Sequence, residues 1–123
     1  MIDEVTMNDF LPLLLNQCLH AACTPLEYSD VPPERAITGD PRVGTAVLGS
    51  FGGRTVGIWE ISPSVSIDVE VDELFVVISG EAVVRFEDGT PSLILQPGCV
   101  GRLLAGSATT WSVSQTLRKI YIA

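Results

Sequence analysis

The run Leu74-Phe75-Val76-Val77-Ile78-Ser79 stands between Asp72-Glu73 and Gly80, is followed by Ala82-Val83-Val84-Arg85-Phe86, and leads on to Asp88-Gly89 and Gln96-Pro97-Gly98. Short runs of β-branched and aromatic residues closed by turn formers read as strands, because branched side chains pack well on a pleated surface and Gly and Pro interrupt pairing. The pattern predicts strands over Thr45 to Phe51, Thr55 to Ile61, Val65 to Val71, Leu74 to Ser79, Ala82 to Glu87, Ser92 to Leu95, Val100 to Leu104, Thr110 to Ser114 and Leu117 to Ile122. Consecutive strands with no helices between them exclude a parallel sheet and predict an all-β sandwich or barrel. Asp88-Gly89 suits a tight hairpin turn and Pro97-Gly98 a type II turn. Gly49-Ser50-Phe51-Gly52-Gly53 is a hairpin connection rather than a phosphate loop, since neither a helix nor a lysine follows it.

A chain of 123 residues, 46% of them hydrophobic, can enclose one core and is too short for two. Its start reads differently from the rest. Thr6 or Asn8 can cap a helix over residues 8 to 21 that carries Phe10, Leu11, Leu14, Leu15, Cys18 and Leu19 on one face, with Pro12 in its first turn. Four prolines and Gly39 between Pro25 and Pro41 then predict an extended arm. The expected division is helix and arm over 1–40 and barrel over 41–123. Fifteen acidic against seven basic residues leave a formal charge of −8, which repels phosphate backbones and anionic lipid, so neither nucleic acid nor membrane is an expected partner. Asp3, Glu4 and Asp9 stand where a secretory signal carries positive charge, and the Leu11 to Leu15 cluster is too short to span a bilayer; a cytoplasmic protein is expected. Cys18, Cys23 and Cys99 follow no metal or disulfide spacing and read as buried reduced thiols.

Taken together, Gly57-x-Trp59-Glu60, Pro63, Asp72-Glu73-x-Phe75 with Gly80, Pro97-Gly98, Gly106, Thr110-Trp111 and Arg118-Lys119-x-Tyr121 resemble the small single-domain cupins related to ureidoglycine aminohydrolase and to an ethanolamine-utilisation protein, the DUF861 type. The resemblance spans about residues 40 to 123 and implies a jelly-roll barrel, often dimeric, with a small pocket in its mouth. It also implies where a metal would sit. The family's paired histidines map to Ser66 and Asp68, or to Ile67 and Val69 with a loop one residue shorter, and its third histidine maps to Thr109. His20, the lone histidine, lies far off in the N-terminal segment. Without imidazole, tight iron, nickel, copper or zinc binding is not expected, so no cofactor is assigned; weak magnesium, calcium or manganese binding through Asp68 and Glu73 is the alternative. Cys99 replaces the aspartate usual after Pro-Gly, and Leu104-Ala105-Gly106 replaces a Pro-Ala-Gly turn, so the loops at the mouth differ from the family's.

The cupin spacing points Glu73 inward, where a carboxylate facing an apolar cavity can move a proton or anchor a ligand; a solvated strand end is the alternative. Trp59, Ser66, Asp68, Phe75, Thr109, Trp111 and Tyr121 are the expected ligand-binding residues, with core packing the competing reading of the tryptophans. Tyr121 and Arg102 are candidate contacts to an anionic group. Arg118 and Lys119 read as a solvated strand end or as partners for the acidic excess, and Asp68, Glu70 and Asp72 as a solvated stripe. Strand alternation leaves Leu74, Val76 and Ile78 opposite Phe75 and Val77, both faces apolar, so a homodimer or the N-terminal segment is expected to cover the outer one. No nucleophile triad is present, since it would need His20. Three functions stay open: binding of a small polar metabolite without a redox metal, proton-transfer catalysis through Glu73 on a nitrogenous or sugar-like substrate, and a dimeric assembly module.

Overall fold

The computed structural model describes residues 13 and 15–123. Nine antiparallel strands make one sheet: β1 Glu27–Asp30, β2 Ala36–Thr38, β3 Arg42–Phe51, β4 Arg54–Ile61, β5 Ser64–Val69, β6 Glu73–Phe86, β7 Leu93–Leu95, β8 Val100–Leu103 and β9 Ala108–Ile122. Two long strands decide the architecture. β6 and β9 pair from Leu74 opposite Ile122 to Phe86 opposite Thr109, with register shifts between Val77 and Ala82. Along the first half of β6 the pair is flanked by β4 and β8, and along the second half by β5 and β7. The sheet is thus two half-sheets, β1-β3-β4-β9-β6-β8 and β2-β5-β9-β6-β7, curled into a jelly roll about shared strands.

Gly80 allows the bend. Its φ is +91°, and a side chain there would collide with the carbonyl oxygen of Thr116 and with Leu117 on β9. For this reason two pairs of expected strands are in fact one strand each. Gly80 and the Ser114 to Thr116 stretch carry turn chemistry, but they are the bulged corners of continuous strands rather than ends. Gly52 and Gly53, at φ +59° and +76°, make the two-residue turn between β3 and β4, and Gly98, at φ +93°, completes the turn after Pro97. The core lies inside the curl. Phe75, Val77, Val84, Leu95, Leu103, Trp111 and Leu117 are buried there, each contributing on the order of 1.5–3 kcal/mol by leaving water.

The N-terminal segment departs from expectation. Leu13 and residues 15–20 are turn and coil, with Asn16 at φ +59°, and only a 3-10 turn, Ala21–Cys23, follows; the rest of the helix predicted over 8 to 21 lies outside the described residues. Asn16 in the left-handed region interrupts a helix at that point. The proline-rich arm contains β1 and β2, which pair with β3 and β5. Arg118, on the outer face of β9, ties this segment down: its guanidinium donates to Glu60 at 2.9 Å and to the carbonyls of Ala21 and Thr24 at 2.7 and 3.0 Å. It is a buried clamp, not a solvated end. All three thiols are free; Cys18 and Cys23 are exposed, contrary to expectation, and Cys99 is half-buried and packs against the core. The outer face of β6 is incompletely covered, Leu74 being 46% and Val76 37% exposed. Among the described residues no helix is long and apolar enough to cross a membrane.

Candidate functional site

β5 is amphipathic in reverse. Val65, Ile67 and Val69 point away from the core, whereas Ser64, Ser66 and Asp68, continued by Glu70, point into the curl; Ser64, Ser66 and Glu70 are buried and Asp68 is half-buried. A strand with an apolar outside and a polar inside lines a site rather than a core. Opposite it, β9 presents Thr109 and Trp111, in register with Asp68 and Ser66. Beyond the bulge the same face of β9 presents Lys119 and Tyr121, in register with Trp59 and Gly57 on β4 and with Val77 and Phe75 on β6. Gly57 leaves room for the Tyr121 phenol, which a side chain would strike.

Lys119 is the centre of this wall. Its ammonium lies 4.6 Å from the ring centre of Trp59, 4.9 Å from that of Phe75 and 5.1 Å from that of Trp111, and donates to Glu73 Oε2. The two charged side chains are 4% and 10% exposed. Such a pair carries a desolvation cost that the opposite charge and three ring faces offset. Glu70 is 8% exposed, and its Oε2 accepts from Thr109 Oγ1 at 2.6 Å and from Trp111 Nε1 at 2.9 Å. Burial, and secondarily the charge of Glu73, push the Tyr121 phenol above the usual tyrosine range, so it stays a hydrogen-bond donor at neutral pH.

Two cavities meet at the tryptophans, whose rings are 5.2 Å apart and tilted by 56°. One, of about 320 Å³, is lined by Trp59, Asp68, Glu70, Glu73, Trp111, Lys119 and Tyr121 among others. The second, of about 280 Å³, lies under the β1–β2 connection, where Ser66, Trp59, Asp68 and Trp111 face Ser29, Pro32 and Arg35. Arg35 reaches down from the arm to Asp68 at 3.1 Å. Of the residues expected from sequence, Trp59, Asp68, Glu73, Trp111 and Tyr121 line the first cavity, and Ser66 lines the second. Phe75 is buried beneath the Lys119 ammonium, and Thr109 is buried with its hydroxyl turned to Glu70. Arg102 lies apart, with Leu74 and Arg54, in an outer depression.

Lys119 keeps the second of its two sequence readings, a partner for an acidic group, but a buried one, and Glu70 corrects the reading of a solvated stripe. A lysine near a chain end and an acidic stripe look solvated, because alternation shows which residues share a face but not which face is inside. The one available signal is parity: Lys119 shares it with Trp111 and Tyr121, and Glu70 shares it with Ser66 and Asp68.

A transition metal does not fit these donors. Ser66, Asp68 and Thr109 stand where the resemblance places histidines, Thr109 is engaged by Glu70, and ammonium and guanidinium groups already hold Glu73 and Asp68. Among the described residues no three His, Cys, Asp or Glu side chains form a group able to hold an ion.

Residues 48–121 match the family described as EutQ-like cupin domain. Among solved structures, a Salmonella typhimurium LT2 protein described as ethanolamine utilization protein q is similar at 24% identity over 66% of this chain and 68% of its own, with a TM-score of 0.55. A Pseudomonas syringae protein of the DUF861 family with unknown function is similar at 23% identity over 81% of this chain, with a TM-score of 0.70. A chain from a structure of DMSP lyases is similar at 18% identity over 65% of this chain, with a TM-score of 0.55. The chain spans only 44% and 46% of the last two. At these identities the likeness shows the fold alone. No curated protein matches the chain.

Proposed function

The chain belongs to the EutQ-like cupin domain family, and we propose that it is a cytoplasmic protein that binds a small polar molecule in the 320 Å³ cavity without a transition metal. The inward polar face of β5 carries this reading. A barrel with a purely structural interior would place Val65, Ile67 and Val69 inside and Ser66, Asp68 and Glu70 in water, gaining apolar burial and avoiding buried charge. Native mass spectrometry and elemental analysis of gently purified protein provide the test. The expected result is far less than one equivalent of any transition metal, with a small organic molecule released on denaturation and absent from Trp59→Ala protein. Stoichiometric zinc, iron or manganese surviving dialysis overturns it.

Proton transfer is the second reading, because Glu73 and the protonated Tyr121 lie on one cavity wall beside Lys119. It would make the protein an enzyme of ureidoglycine aminohydrolase-like or sugar-modifying type, and one chain from a structure of DMSP lyases shares the fold. Glu73→Gln then abolishes turnover while ligand binding persists; a pure binder shows no turnover to abolish.

The same fold supports assembly. Leu74, Val76, Val100 and Ile122 are exposed and adjacent in register on the outer face, with Arg54, Arg102 and Asp72 beside them. A second copy related by a two-fold axis would cover this stripe. Light scattering at micromolar concentration is expected to give the dimer mass, and Val76→Lys the monomer mass. A monomer mass for the unaltered protein ends this reading.

A further inference from the structure

We infer that the ligand of this cavity is a small organic cation, an amine or quaternary ammonium, whose charge is met by Glu70; the inference rests on the binding reading above. The argument is one of unmatched charge. Among the acidic groups lining the cavity, Glu73 is paired with Lys119 and Asp68 with Arg35. Glu70 is the most enclosed of the set, yet among the described residues its partners are a hydroxyl and an indole N–H, both on Oε2, and it forms no ion pair. No donor among the described residues reaches its Oε1. Buried carboxylates are ordinarily paired with a cation, because desolvation of a lone charge is costly. The counter-charge that the fold does not supply is the one a ligand would bring.

The walls choose the kind of cation. A dehydrated metal ion is best held by several charged oxygens, and among the described residues no three His, Cys, Asp or Glu side chains group to hold one. An organic ammonium needs one carboxylate and an aromatic surround, and Trp59, Trp111 and Tyr121 line the same volume as Glu70. Lys119 shows that this aromatic surround accommodates an ammonium, and its own charge is already answered by Glu73. The formal charge of −8 on the whole chain favours the approach of a cation as well.

The test compares choline with 3,3-dimethylbutan-1-ol, its uncharged carbon isostere, and with acetate, read by tryptophan fluorescence and calorimetry on the full chain. Glu70→Gln keeps an oxygen for Thr109 and Trp111 and removes the charge. Choline is expected to bind at least about tenfold more tightly than the isostere, and Glu70→Gln to erase the difference without lowering the affinity for the isostere. Equal binding of choline and isostere, or tighter binding of acetate, overturns the cation inference while leaving a small-molecule site in place. Should none of the three perturb Trp59 and Trp111, the cation inference fails, and the molecule released from the native protein decides the binding reading separately. If Glu70→Gln does not fold, the choline-to-isostere ratio in the unaltered protein still decides.

Discussion

Lys119→Met is expected to lower the free energy of unfolding by about 3–5 kcal/mol, because it leaves the Glu73 carboxylate buried without its counter-charge. Methionine keeps the length and the apolar stem that packs among Trp59, Phe75 and Trp111, so the loss reads out the charge rather than a cavity. Adding Glu73→Gln to the same protein should recover a large part of it, since the remaining group is then neutral. Urea denaturation of the two single variants and the double variant measures this as a thermodynamic cycle. A loss below about 1 kcal/mol for Lys119→Met, the range of exposed pairs, would mean that the two charges stand in water and are not the inner wall of a cavity.

Gly80→Ala is expected to cost about 2–5 kcal/mol. An L-residue at φ +91° carries roughly 1–2 kcal/mol of backbone strain, and a methyl group driven against the Thr116 carbonyl and Leu117 adds about 1–3 kcal/mol of overpacking. Neither neighbour can yield, because both atoms are main chain of the strand paired with β6. Thermal unfolding checks the size, and Gly89→Ala is the control, having a similar φ of +86° and open space around it. Equal losses at the two glycines would show that strain alone is at work and that β6 and β9 do not approach as closely as described.

Most of the barrel was legible in the sequence because its strands are short apolar runs between turn residues, and that signal survives whichever way the faces point. Gly80 was read as a strand end because a turn and a bulge both call for glycine at positive φ; only pairing with β9 distinguishes them. β1 and β2 were read as arm because Val31-Pro32-Pro33 interrupts them and each is held by a neighbour distant in sequence. At the site, Trp59, Trp111 and Tyr121 announced themselves as large residues with polar tips. Glu70 and Lys119 did not, since a polar residue facing a cavity and one facing water leave the same alternation, and β5 reverses the usual sense of it.

Because β6 and β9 belong to both halves of the jelly roll, neither half contains a sheet that can stand alone, and the order of assembly is constrained accordingly. β9 follows the other eight described strands, yet it is the one on which β4, β5 and β6 all pair; Val56, for instance, must wait for Ile122. During synthesis β4, β5 and β6 therefore each keep one side unpaired until β9 has emerged. Such non-local closure belongs to the class of domains that fold over milliseconds to seconds rather than microseconds. It also means that amide protons along β6 and β9 should exchange together, in a single opening that carries the whole barrel with it.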